Sequence, residues 1–589
     1  MAYRNLSISL PEELIALMAL REDPLFDNLP PQMMEVLNMH VRGSLVLTAV
    51  LVLLSCASPS VGAQPPNTSD RGYSDLVELF EKWREFQQPP FREGIPDYTA
   101  PAMAEQHQKL TEYQTRLAAI DSSGWPVAEQ IDHRLVGAEM NGLDFDHRVL
   151  RPWARDPAFY AMVIQWESDT PLREGPTIAG AIELWRLSFP LAADELALFK
   201  ARLQAIPPLL DQARGNLVGD ARDLWQLGIL SQQGQSAALA DLAELLGEHH
   251  PELVSDVERA QQAVDAFVLW LEQELPRKTG PSGVGIENYN WYLRHVHLVP
   301  YTWEDELRLM QRELARSVAH MKLEEHNNRD LPPLEPPDSA EEWQQRASAA
   351  IDEFLAFLDD EVLTVEDYME PALRVRVSGY SPPERRHFFA QVDLRDPRVM
   401  RCHQIHWIDK VRMRHDPHPS PIRRVPLLYN IWDSRAEGLA TAMEEMMMSA
   451  GLVDDSPRSR ELVYIMVAQR AARAIAGLRV QSNEWSIDKA VVFAAEQTPR
   501  GWFRADGNLV LFEQQLYLEQ PGYGTSYLTG KALIESLMTE RALELGDAFT
   551  LKGFMEELFA SGVIPVSLIR WEITGNDSWL PRLGTPFAK

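Results

Sequence analysis

The chain has 589 residues, 45% hydrophobic and 24% charged, with a formal net charge of -30. That length accommodates roughly two to four ordinary domains or one large helical body, and the composition supports a packed core. The negative balance argues against nucleic-acid binding, because polyanions are repelled and counterion release is not available, and it disfavours an anionic membrane surface.

The first readable element is an address. From Met39 the chain reads MHVRGSLVLTAVLVLLSCASPSVGAQ: a basic Arg42, an apolar run from Leu45 to Leu54, then small residues ending Val61-Gly62-Ala63. This is the grammar of a signal peptide, and its apolar run falls short of the ~20 residues a spanning helix needs. Leu53-Leu54-Ser55-Cys56 also fits the bacterial lipobox, so lipidation at Cys56 and cleavage after Ala63 both stand as outcomes. The expected organisation is a non-native extension over 1–38, a signal over 39–63 and a single helical domain over 64–589. An exported protein is expected, periplasmic or secreted, with a lipid anchor as its one route to a membrane. Only Cys56 and Cys402 occur, so a mature chain has one thiol and no intramolecular disulfide. A lone cysteine at 402 reads as a small buried hydrophobe more readily than as a nucleophile.

Past the signal, SDLVELFEKWREFQ, YTWEDELRLMQRELARSVAHMKLEEH, AAIDEFLAFLDDEVL and ELVYIMVAQRAARAIAGLRV repeat apolar residues at three- and four-residue intervals. The spacing predicts helices, and alternating strand patterns are scarce, so the fold class is mainly α with few short strands. Thr302 caps the helix beginning WEDEL, with Glu304, Asp305 and Glu306 in its first turn, although Asp305 stands where a full capping box has glutamate or glutamine. RHVHLVP places His295 and His297 two apart, on one face if the segment is a strand. RDLPPLEPPDSAEEW, Arg329 to Trp343, breaks the helical pattern.

MRCHQIHWIDK, Met400 to Lys410, sets His403 and His406 at i and i+3 of an expected helix, where both project to one side and could hold a metal. A catalytic zinc takes three protein ligands and leaves one position open. RAEGLATAMEEMM then offers Glu437, Thr441 and Glu444 on one face of the next helix, and a carboxylate there is how a third ligand would arrive. The bland alternative is two packed histidines and a first-turn glutamate. His415, Asp416 and His418 lie in a proline-rich stretch that reads as a solvated turn. No phosphate-binding loop, dinucleotide fingerprint or Gly-x-Ser-x-Gly elbow is present.

From Ser434 onward the chain resembles the bacterial family called domain of unknown function 885. The likeness rests on Glu437-Gly438, Glu444-Glu445, Trp485-Ser486, Pro521-Gly522, Tyr527 and Gly530-Lys531, with ENYNWYLRHVHLVPYTWEDEL (Glu287 to Leu307) upstream. The resemblance implies a mainly helical, zinc-metallopeptidase-like fold enclosing a deep cavity, with His403, His406 and Glu437 as metal ligands. It implies catalytic positions at Gln404, Glu444 and Tyr527 and substrate-binding positions at Gln481, Tyr527 and Lys531. Departures from the family pattern fall at the same place. Gln404 is an amide where a glutamate base is wanted, the Pro-Gly-His-His segment is replaced by His406-Trp407-Ile408-Asp409, and Leu439, Ala442 and Gln481 replace the pattern's tryptophan, tyrosine and histidine. An amide cannot accept a proton at neutral pH. The expectation is therefore a peptide-hydrolysing relative with a rearranged zinc site and Glu444 as replacement base. The alternatives are a silent relative that binds a peptide or small ligand in the cavity, and a structural lipoprotein.

Overall fold

The computed structural model describes residues 68–584, which fall within one unit; the 1–38 extension, the 39–63 signal and Cys56 lie outside the described residues. The fold is mainly helical, 69% helix and 2% strand. Its strands are two short pairs, Phe91–Arg92 with Ile95–Pro96 antiparallel and Val163–Ile164 with Ile182–Glu183 parallel. No helix among the described residues is long and apolar enough to cross a membrane.

Two apolar cores organise the helices. A smaller one joins Ala193–Asn216, Arg222–His249 and Val254–Glu274 through Leu203, Leu239, Val264 and Phe267. The larger one surrounds the Ser459–Gln481 helix, which is buried on nearly every face. A helix with three- and four-residue apolar spacing ordinarily keeps one wet side. Here the polar side is buried too, because Arg470 and Arg473 find carboxylates on neighbouring helices.

Local chemistry fixes several ends. The Thr302 hydroxyl accepts from Asp305 N while Asp305 reaches back to Thr302 N at 3.2 Å, so aspartate closes the capping box despite its shorter side chain. Ser339 caps Ala340–Glu361 after the proline-rich loop. The RHVHLVP segment is not a strand. His295 ends the helix Ile286–His295, and His297 follows in a turn that continues through Leu298 at φ 52.

A close helix contact joins two motif-bearing elements, Asp433–Ala450 and Tyr523–Leu545. Gly438 and Gly530 meet there: a Cβ on Gly530 would lie 2.0 Å from the Ser434 carbonyl oxygen, and one on Gly438 would lie 2.5 Å from Gly530 Cα. Only paired glycines permit that approach. It brings Glu437 beside Tyr523.

Candidate functional site

The expected helix through MRCHQIHWIDK is broken. Pro397–His403 ends, Gln404 sits between with ψ 7°, and Ile405–His415 begins. The two imidazoles still meet, edge to face with ring centroids 5.0 Å apart, since the break turns the second helix without separating the rings.

His406 is buried, with Nε2 at 3.3 Å from Glu437 Oε2. Burial opposes charge on the ring, but Glu437 and then Asp169 outweigh it and hold the imidazole protonated up to about 9. Burial likewise opposes charge on Glu437, yet His406, aided by His403 and Tyr523, draws its carboxyl down to about 2. Although close, the two facing atoms lack hydrogen-bond geometry, so His406 Nε2 and Glu437 Oε2 are buried polar atoms without a hydrogen-bond partner. The other oxygen, Glu437 Oε1, accepts from the Tyr523 hydroxyl at 2.7 Å, and the Tyr527 hydroxyl donates to Tyr523 Oη at 3.1 Å.

His403 Nδ1 lies 3.3 Å from Glu444 Oε1 and 3.2 Å from Arg470 Nη2. Arg470 grips Glu444 with two bonds of 2.7 Å, one to each oxygen. Burial raises the Glu444 carboxyl, but the Arg470 guanidinium and His403 more than reverse this and keep it ionised below its usual range. Arg470 can only donate, so a neutral His403 accepts at Nδ1 and carries its proton on Nε2.

The residue that sequence reading missed is Asp169. One ligand-capable atom each from Asp169, His403 and His406 lie within 4.8 Å of one another. Asp169 comes from the irregular stretch 165–181, which links the two parallel strands and carries no periodicity that would mark it. This stretch is pinned near its start, where Glu167 pairs with Lys410 and with Arg376. Glu174, on the same stretch, lies 3.3 Å from the Tyr523 hydroxyl, and burial, then Asp169 and Glu437, raise its carboxyl.

Asp169, Glu174, His403, Glu437 and Tyr523 line a cavity of about 340 Å³ together with Arg470, Arg473, Tyr517 and Tyr527. The Arg473 guanidinium stands 4.5 Å over the Tyr527 ring and pairs with Glu513. Five residues assigned to the site in the sequence are absent from this lining: His406 and Glu444, which stand against Glu437 and His403, and Gln404, Gln481 and Lys531. Gln404 directs Nε2 toward the Arg376 carbonyl at 3.5 Å. Gln481 ties the backbone, donating to the Tyr517 and Leu518 carbonyls and accepting from Val284 N. Lys531 sits among Glu445 and Glu535, in a cluster that Arg316 completes through Glu445. Of the histidines considered weaker, His297 is buried 3.8 Å from Asp433, and His415 stacks on Tyr368. Cys402 is buried, its thiol pushed up by desolvation, and donates to the Arg398 carbonyl.

The model of the family described as a bacterial protein of unknown function (DUF885) matches residues 87–364 and 411–573, and the chain belongs to that family. Residues 365–410, which include His403, Gln404 and His406, lie between the matched stretches. Two solved structures share the fold. One, described as "a putative lipoprotein of unknown function" from Shewanella oneidensis, is 16% identical with a TM-score of 0.62, covering 86% of this chain and 99% of its own. The other, "the putative lipoprotein from Colwellia psychrerythraea", is 14% identical with a TM-score of 0.61, covering 87% and 99%. No curated protein matches the chain.

Proposed function

We propose that this chain is an exported, metal-dependent hydrolase of peptides whose reaction site is the cavity beside Tyr523. The observation that carries the reading is the convergence of Asp169, His403 and His406. Two imidazoles and a carboxylate form a donor set suited to catalytic zinc. His406 Nε2 and Glu437 Oε2 face each other at 3.3 Å as an ion pair without hydrogen-bond geometry, and a bound cation, taking the place of the imidazole proton, would give both atoms a directed partner. Glu437 is then a fourth ligand or the partner that steadies His406. Zinc held there would supply Lewis acidity toward a peptide carbonyl.

The protein's own groups divide the remaining work. Glu174 is the carboxyl best suited to take a proton and return it, since its affinity for protons is already raised. Glu444 positions His403 instead, as both its oxygens are engaged by Arg470. The Tyr527 hydroxyl, which otherwise donates to Tyr523 Oη, turns to charge developing on the carbonyl oxygen, while Tyr523 holds Glu437. Export is supported by the signal-like segment and by the descriptions of the two structural neighbours.

The second reading, a silent relative that binds a peptide in the same cavity, is favoured by the amide at Gln404 and its position outside the lining. Metal analysis of the purified chain, paired with cleavage of a peptide library, separates the two. The hydrolase reading expects near-stoichiometric zinc, lost in His403→Ala, and cleavage that falls ~10²–10⁴-fold in Glu174→Gln with zinc retained. Retained zinc with no cleavage supports the silent reading. Absence of zinc even after reconstitution overturns the metal site.

A further inference from the structure

A second cavity, of about 320 Å³, lies across the 165–181 stretch from the first, and among the described residues it contains no metal-ligand set. Asp146 and Glu519 reach it, and Tyr98, Trp153, Tyr292 and Tyr429 bring aromatic rings to its lining. Among the described residues, the Asp146 carboxyl has neither a hydrogen-bond nor an ion-pair partner. Burial alone pushes it up to about 8. Asp156 stands against Glu519, burial and each other's proximity bear on both, and burial takes Glu519 up to about 6. The one guanidinium at the lining, Arg173, is exposed and acts on Glu519. These carboxyls lack a matching cation and burial favours their protonated forms; a cation entering this volume, which suits a small ligand, would draw the Asp146 proton off.

The backbone around this cavity is held in unusual conformations. Asp146–Leu150 forms a π turn that ends on Arg151 at φ 44, and Tyr429 and Asn430 take φ 58 and φ 54 in succession. Left-handed conformations of non-glycine residues are strained and cluster where function demands them. Gly142 leaves room for the strained tyrosine, because a Cβ there would lie 2.3 Å from the Tyr429 ring. The strain therefore serves to set Tyr429 at the cavity, near Asp146, whose charge acts on it.

We propose that this second cavity binds an organic cation, an alkylammonium or guanidinium group, between the Asp146 carboxylate and the aromatic rings. Aromatic faces attract cations, the more so when desolvated, and a carboxylate with no competing partner supplies the charge. The cation is either a free amine or the basic group of a peptide. In the second case the inference rests on the hydrolase reading and makes basic peptides its substrates.

Calorimetric titration of the full chain in EDTA tests the site without the metal. The probes are agmatine, N-acetyl-Gly-Lys-Gly amide and the neutral N-acetyl-Gly-norleucine-Gly amide. The expected result is binding of a cationic probe, none of the neutral one, and at least tenfold weakening in Asp146→Asn. Glu519→Gln, which leaves Asp146 in place, provides a second folded variant and is expected to weaken binding less. Agmatine binding alone identifies a free amine as ligand, and binding of the lysyl peptide identifies a basic peptide. Equal binding of the neutral peptide, unchanged affinity in Asp146→Asn, or no binding of either cationic probe overturns the proposal. Because EDTA removes the metal, none of these results depends on the first cavity.

Discussion

At the scale of single residues, buried charge is the theme, and each buried carboxylate has a different remedy. Glu444 has Arg470, Glu513 has Arg473 and Asp409 has Arg435, pairs whose rupture from one side costs about 3–5 kcal/mol. Glu306 has only hydroxyls: Tyr289 donates at 2.7 Å and Thr529 at 3.0 Å. Burial outweighs those bonds and raises Glu306 from 4.5 to about 7. A carboxyl raised in the folded state binds its proton more tightly there than in the unfolded chain, so its contribution to stability declines as pH rises from 4.5 to about 7. The full loss is about 3 kcal/mol above that window. Glu306→Gln is expected to remove this decline. Urea unfolding at pH 5 and pH 8 checks it, with the wild type losing more stability between the two than the variant.

At the scale of elements, much was legible. The helices carried by 74–87, 301–326 and 461–480 follow their apolar spacing, and the Thr302 cap follows its chemistry. Glu437 could be singled out because a spaced motif carries it on a regular helix. The break at Gln404 could not, since neither glycine nor proline marks it. Asp169 and Glu174 were hidden for a stronger reason: irregular backbone has no period, and only the folded chain brings 165–181 against His403. The motif glycines gained a meaning that composition could not give, as a backbone crossing. Gly530→Ala is expected to destabilise by about 1–3 kcal/mol or more, because backbone atoms on the Asp433–Ala450 helix must move. Gly234→Ala, on an open face with nothing within 4 Å, is expected to be neutral or to stabilise by up to about 1 kcal/mol. Thermal unfolding of the two variants measures the contrast.

At the scale of the molecule, the net charge of -30 becomes a statement about encounter. A surface with a large negative excess steers cations toward it, an effect screened by salt over about 10 Å at 0.1 M. Association of a lysine-containing peptide is expected to slow ~10-fold or more between about 0.01 and 0.5 M salt, whereas a glutamate-containing peptide of equal length speeds up. Stopped-flow fluorescence with labelled peptides reads both rates. The stretch between the parallel strands has a consequence of its own at this scale. Asp169 and Glu174 face one cavity, while Leu172, Arg173 and Gly175 face the other, so a single partition only a few residues deep bounds both. Any occupant that shifts the partition alters the opposite chamber, and thermodynamic reciprocity makes that influence equal in both directions.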